Sequence, residues 1–285
     1  MQAVCGKEYV AEAALLRDYD NEWDAEEDVW HSAVDDISYD GWFRGFQKKH
    51  IPYDLVYISD KTELAELSKY KMVVYPHPTI LTEERTALLQ AYAEQGGTVI
   101  FGCRTGYKDL TGKCRQTCMP GFAAELCGIE VEDFTFLSPY DKDQYVNIGE
   151  KRVSAPCFND VLQITDGVQL GTFESNYYAG KTALSLKKVG KGRVYYFGAA
   201  FAEDCAKAFI ELEKLGSPMD LDSLIDMPES LELAVRGEYI FLLNYGEDQV
   251  EMNCSASFKD MISGEVFTDK ITIKGYDAVV LKGGF

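Results

Sequence analysis

The sequence predicts an α/β fold built on a doubly wound, mostly parallel sheet, followed by a small all-β domain. Three observations predict it. Short, mostly apolar runs such as Ala13–Leu16, Lys71–Tyr75 and Thr98–Phe101 are too short for helices and read as strands buried on both faces. Stretches with helical spacing separate these runs. Beyond Pro228 only strand signals remain.

The organising stretch is Ala13 to Trp23, AALLRDYDNEW. Its apolar half reads as the first strand. Its polar half, Asp18 to Trp23, falls at the carboxyl edge of the sheet, where open α/β sheets meet ligands and partners. Val34 to His50 reads as a helix, with Trp42, Phe43 and Phe46 at helical spacing and Lys48, Lys49 and His50 suited to its end. Pro52 stops it. Tyr53–Ile58 is the second strand, Thr62–Leu67 a short helix, and Lys71–Tyr75 the third strand. Thr82 caps the next helix, with Glu83 and Glu84 in its first turn and Ala87, Leu88, Ala91 and Tyr92 on one face. Gly96 and Gly97 close it, and Thr98–Phe101 is the fourth strand. Right-handed crossovers make this β-α-β-α-β-α-β run a doubly wound sheet.

A polar loop, Gly102–Met119, leads to a helix opened by Pro120 and Gly121 and ended at Gly128. Strand signals then come at close spacing: Val131–Leu137, Val161–Thr165, Val168–Glu174, Ala183–Lys187 and Arg193–Phe197. Gly190-Lys191-Gly192 marks a tight hairpin and not a phosphate loop, because no helix follows it. Glu203–Leu215 reads as a helix with Ala206, Phe209, Ile210 and Leu212 as its buried stripe. The expected domains are 1–215, a linker at 216–227, and a β-domain at 228–285 whose strands include Leu231–Val235, Tyr239–Asn244, Val250–Asn253 and Ala278–Leu281.

Composition narrows the function. The 285 residues are 46% hydrophobic and carry a formal charge of −19. That supports a sizeable core and repels phosphate backbones and anionic membranes, so neither nucleic acid nor membrane is an expected partner. No apolar run reaches membrane-spanning length, and MQAVCGKEYV has no charged segment followed by an apolar one. Eight cysteines without a framework read as reduced, cytoplasmic thiols.

Several phrases carry a resemblance when taken in order: DYDNEW, YKMVVYP, YAEQGGTVIFGCRTGYKD, PGFAAELCGI, YYAGKTALSLKKVGKGRVYYFGAAF and YIFLLNYGEDQVEM. Together they resemble the non-catalytic C-terminal half of glycoside hydrolase family 42, bacterial β-galactosidases. The trimerisation domain lies over about residues 9–213 and a small β-domain runs from about 228 onward. The resemblance implies a flavodoxin-like, amidotransferase-like sheet, subunit packing into a trimer, and placement beside a catalytic barrel of the same or a neighbouring subunit. Such barrels take about 250 residues, and in retaining enzymes two carboxylates face one sugar about 5 Å apart. The first strand here starts near residue 13, so the expectation is a fragment or barrel-less relative with no glycosidase activity of its own and no cofactor.

The resemblance implies that Asn21, Glu22 and Trp23, with Asp18 and Asp20, serve assembly or flank a sugar site. The residues alone fit equally a cap on the strand and the loop after it. Arg104, Thr105, Gly106, Lys108 and Asp109 match the family phrase R-[ST]-G-x-K-D. An ion pair of Arg104 with Asp18, Asp20 or Glu22 is expected there in preference to substrate binding. Cys103, at a strand-to-helix turn, would be the nucleophile of an amidotransferase-like hydrolase. That chemistry needs a base, and only His31, His50 and His77 exist, so a buried inert thiol is expected. Cys114 and Cys118, near Cys103 and Cys127, have no Cys-x-x-Cys spacing, and no metal is expected. Trp23, Trp30, Trp42, Phe43 and Phe46, or Tyr177 and Tyr178, would form the platform of a carbohydrate-binding module, while helical spacing favours core or interface.

Overall fold

A computed structural model describes residues 4–138 and 140–283. In chain order the elements are β1 (Ala13–Arg17), α1 (Tyr19–Glu27), α2 (Val29–Lys48), β2 (Tyr53–Tyr57), α3 (Leu64–Leu67), β3 (Met72–Tyr75), α4 (Glu83–Glu94), β4 (Thr98–Gly102), α5 (Ala123–Cys127) and β5 (Ile129–Phe136). They continue as β6 (Tyr145–Ile148), β7 (Lys151–Ser154), β8 (Phe158–Ile164), β9 (Val168–Phe173), β10 (Thr182–Val189), β11 (Gly192–Phe197) and α6 (Glu203–Leu212). The last are α7 (Leu221–Leu224), β12 (Leu231–Arg236), β13 (Tyr239–Asn244), β14 (Val250–Asn253), β15 (Phe258–Asp260), β16 (Val266–Phe267), β17 (Lys270–Ile273) and β18 (Asp277–Gly283).

The chain divides into two compact units. One comprises Ala13–Trp42 and Leu55–Ala208, and the other holds the remaining described residues. The larger sheet has strand order β2-β1-β3-β4-β11-β10-β9-β6-β7, with β8 pairing β10 and β5. Its centre is parallel: β1 on β3, β3 on β4, and β4 on β11. All four residues of β3 and all five of β4 are buried, which is why these strands read as unbroken apolar runs. The Gly190–Gly192 turn joins β11 to antiparallel β10, with Val189 facing Gly192. From there the sheet is antiparallel through β9, β6 and β7. The result is a doubly wound α/β sheet with appended antiparallel strands. No (β/α)8 barrel occurs among the described residues.

Two glycines matter to this packing. Gly128 ends α5 in the left-handed region (φ 65°), and a Cβ there would lie 1.7 Å from Asp166 O. Gly41 lets α2 lie against the backbone, where a Cβ would stand 2.0 Å from Phe201 O. The adjacent Trp42 is fully buried, its ring 5.3 Å from that of Phe201.

The other unit has a five-stranded antiparallel sheet, β12-β13-β18-β15-β16, and a β14-β17 ribbon. Leu231, Leu233 and Val235 alternate with more exposed neighbours, giving the period of two that marks a half-buried strand. They join Ile240, Leu242 and Leu281 in one core, which Leu221 and Ile225 also enter.

The structure corrects several local expectations. Asp18–Trp23 is not a loop but the start of helix α1, which runs on from the end of β1. The buried face of α4 is Arg85, Thr86, Leu89, Tyr92 and Ala93, while Ala87 is exposed. Arg85 faces inward there because Asp18 and Asp20 meet it, and the Thr86 hydroxyl donates to the N-cap carbonyl of Thr82. Leu212 is exposed, and the α6 stripe is instead Cys205, Ala206, Phe209 and Ile210. Phe43 is half-exposed, while Trp42 and Phe46, one turn apart, are core. Strands β6, β7, β15, β16 and β17 carried no strong apolar signal and were not foreseen. No helix among the described residues is long and apolar enough to cross a membrane.

Candidate functional site

The site begins where β1 delivers its chain to the sheet edge. Asp18, almost fully buried, is the N-cap of α1. Its Oδ1 accepts from Asn21 N at 2.9 Å and from Arg85 Nη1 at 3.1 Å. Its Oδ2 accepts from Asn21 Nδ2 at 2.7 Å and from the Tyr75 hydroxyl. A buried carboxylate persists only when paired and hydrogen-bonded, and here both conditions hold. Arg85 also pairs with Asp20, and its Nε lies 3.0 Å from Asp60.

Asp20 and Asp24 fall four apart on one face of α1, and Asp28, four further on, is its C-cap. Each meets a cation. Asp20 takes Arg85. Asp24 takes Lys108 at 2.7 Å and His31 Nδ1 at 2.8 Å. Asp28 takes Lys108 at 2.8 Å and Arg104 Nη2 at 2.7 Å. Burial alone would raise the carboxyl of Asp28, but the bond from Lys108, the charge of Arg104 and the N–H groups of Trp30 and His31 bring it down to about 2. Asp24 is lowered too, its burial outweighed by His31 and Lys108.

The 104–109 loop is pinned from below. Arg104 sits at φ 64°, and its backbone N–H donates to Asp160 Oδ2 at 2.8 Å. Asp160 also accepts from the hydroxyls of Tyr107 at 2.6 Å and Tyr196 at 2.7 Å. Burial raises the Asp160 carboxyl despite these donors.

The outer face of α1 is aromatic. Tyr19 stacks on Trp23 with centroids 5.9 Å apart and lies 5.0 Å from Tyr57. Trp23 is 63% exposed. Tyr57 donates to Glu22 at 2.7 Å, and Glu22 lies 2.9 Å from Arg17 Nε.

The structure thus brings Asp18, Asp20, Asn21, Glu22, Trp23, Arg104 and Lys108 to one edge. It corrects the expected pairing: Arg104 meets Asp28, because Arg85 occupies Asp18 and Asp20, and Arg17 occupies Glu22. Asp109 stays apart. It is partly exposed and organises its own turn by accepting from Thr111 and Lys113. Asp24, Asp28, Arg85 and Tyr57 were not foreseen. The four-residue spacing of the three aspartates was the signal that could have found two of them.

Cys103 and His77 lie together, with Sγ 3.7 Å from Nδ1. They do not make a catalytic couple. His77 Nδ1 donates to Cys103 O at 2.7 Å, and Nε2 accepts from Ser38 Oγ at 2.6 Å, so its lone pair is taken. The Ser38 oxygen accepts in turn from Phe201 N. Burial lowers His77 to about 3 and pushes the Cys103 thiol well up, leaving neither a base nor a thiolate. Both side chains are closed to solvent. Cys127 is buried as well, Cys114 and Cys118 are exposed, and no group of three or more metal-ligating residues is found among the described residues.

A doubly wound sheet with antiparallel additions, an ion-paired helix on its carboxyl edge and a following antiparallel β-domain define a flavodoxin-like α/β protein with a small all-β domain after it. The chain belongs to the β-galactosidase trimerisation-domain family, whose model matches residues 11–221, and the model of the β-galactosidase C-terminal domain matches residues 230–283. It is similar to β-galactosidase GalA of Bacillus licheniformis, 24% identical over 98% of this chain and 42% of that protein. It is 25% identical to β-galactosidase BgaB of a Geobacillus species, over 99% of this chain and 42% of the relative. The fold is that of the β-galactosidase from Bacillus circulans sp. alkalophilus, with a TM-score of 0.86 at 20% identity over 99% of this chain and 42% of that one. The chain therefore spans about two fifths of the length of the relatives it matches.

Proposed function

We propose that this chain is the assembly part of a β-galactosidase. It joins subunits into a trimer and sets a catalytic barrel, of its own or a neighbouring subunit, in place for galactoside metabolism in the cytoplasm. The family match over residues 11–221 carries this reading. The α1 edge supports it. Tyr19, Trp23 and Tyr57 form an exposed aromatic stack on a base of ion pairs, and aromatic anchors on a rigid base are what protein interfaces favour. In this reading Asn21, Glu22 and Trp23 face the partner, while Arg104 and Lys108 hold the edge in shape. The working domains are 1–215 for assembly, 216–227 as linker and 228–285 as the β-domain. All eight cysteines are free thiols, which suits a reducing compartment.

The chain by itself cleaves no galactoside, because two carboxylates facing one sugar are supplied by a barrel. Short-span chemical cross-linking of the purified chain tests assembly, with a ladder ending at three expected and monomer alone against it. Hydrolysis of o-nitrophenyl β-galactoside by the same sample contradicts the non-catalytic reading.

A further inference from the structure

We infer that the cavity between the 104–119 loop and β5 is a binding site for a neutral hydroxylated ring, a pyranoside. Its volume is about 530 Å³, within the range of small-ligand pockets. It lies inside a single compact unit, apart from the Tyr19–Trp23 stack.

Two braced rings and a half-used cation build it. Trp30 stacks one face on Phe136 at 5.4 Å, and Phe134 stacks one face on Phe158 at 5.5 Å with the planes 10° apart. Both rings nonetheless stay 41% and 48% exposed and line the cavity, so each gives it an apolar surface held in position. The Arg104 guanidinium lies 5.9 Å from the Trp30 ring and 5.2 Å from that of Phe158, its side chain only 5% exposed. Among the described residues, Nη2 alone of its nitrogens donates a hydrogen bond, to Asp28, and Nε is buried without an acceptor. A buried guanidinium with unused donors is incomplete, and a ligand oxygen completes it.

The charges choose the ligand class. Arg104 and Lys108 are already balanced by Asp28 and Asp24, and Glu132 and Asp133 add two carboxylates to the lining. An anion would enter against that excess. Glu132 is tied to Lys181, and Asp133 accepts from the Tyr177 hydroxyl, yet each carboxylate keeps further acceptor sites. The ligand must therefore offer an apolar face to the rings, an oxygen to Arg104 and O–H donors to the carboxylates. A pyranose does all three, since its C–H face stacks and each hydroxyl both donates and accepts.

Titration of the whole chain with methyl β-galactoside, lactose, glucose and sodium benzoate, followed by calorimetry and tryptophan fluorescence, tests this. A saturable response to at least one sugar is expected, with a Kd on the order of 1 mM, and none to benzoate. Trp30→Ala and Phe134→Leu, from the two walls, each weaken it at least about tenfold, and Trp30→Phe restores most of it. Arg104→Lys, which keeps the charge and loses the fork, weakens it likewise. Circular dichroism and melting confirm that each variant is folded. No saturation by any sugar, benzoate binding in place of sugar, or sugar binding unchanged in both wall variants overturns the proposal. Because the site needs no second chain, a monomer that binds sugar supports it, and a trimer that binds none overturns it without touching the assembly reading.

Discussion

Asn21 and Ile80 exchange two hydrogen bonds across the sheet edge. The Asn21 amide donates to Ile80 O at 2.9 Å, and Ile80 N donates to Asn21 Oδ1 at 2.8 Å. One side chain thereby imitates a strand pairing and ties α1 to the loop after β3. The same amide donates to Asp18, so one residue fixes both the cap and the crossing. Asn21→Ala should cost about 2–4 kcal/mol, since it leaves Ile80 and Asp18 short of partners in a buried place. Chemical denaturation checks this. A loss below about 0.5 kcal/mol would mean that the edge holds without the bridge.

Arg85 is the cation on which the buried edge depends, because Asp18 and Asp20 both pair with it. Arg85→Met keeps the bulk and removes the charge. It should destabilise by about 3–5 kcal/mol, the usual cost of stranding a buried carboxylate. The double variant with Asp18→Asn should recover a good part of that loss, as the stranded charge is then gone.

Asp35 gives a pH signature. Burial holds its carboxyl up at about 6 against the ordinary 3.8, although Arg17 stands 3.5 Å away. The folded state thus binds this proton more tightly than the unfolded state. The resulting stability is fully present below the ordinary carboxyl range and is lost as pH rises through 6. Asp35→Asn should match wild type at about pH 3 and exceed it by up to about 2 kcal/mol at about pH 7.5. Melting curves across that range check it. A variant less stable at the upper end would show that the Arg17 pair outweighs burial.

Thiol reactivity separates the cysteines. Cys5, Cys114 and Cys118 are exposed, whereas Cys103, Cys127 and Cys205 are buried and their thiols are pushed up. Iodoacetamide at neutral pH should label the first three in the native protein and reach Cys103 only after denaturation. Mass mapping reads the sites. Rapid native labelling of Cys103 would reopen a nucleophilic role for it.

Most of the sheet was legible in the sequence because burial on both faces writes an unbroken apolar run. Ala13–Leu16, Met72–Tyr75 and Thr98–Phe101 all became strands of the parallel core. The hairpin at Gly190–Gly192 was legible from its turn residues. Helix α1 was not, because YDNEWDAEE has no apolar stripe: it buries Asn21 and faces its cations with aspartates. Arg85 escaped for the same reason, a charged residue pointing inward toward other charges. The structure gathers the candidate rim, Asp109 excepted, on one edge, with partners that the sequence did not show. A shared sheet edge suggested Asp18, Asp20 or Glu22 for Arg104, whereas Asp28, the C-cap of a helix the sequence did not show, is the one that reaches it.

The assembly claim is tested most directly by light scattering of the purified chain alongside Trp23→Asp, over a wide concentration range. The account predicts that wild type approaches a mass of about 96 kDa, three chains of 32.0 kDa, as concentration rises, and that the variant shifts toward the monomer while keeping its circular dichroism spectrum. A wild-type chain that stays at the mass of one subunit throughout would contradict it.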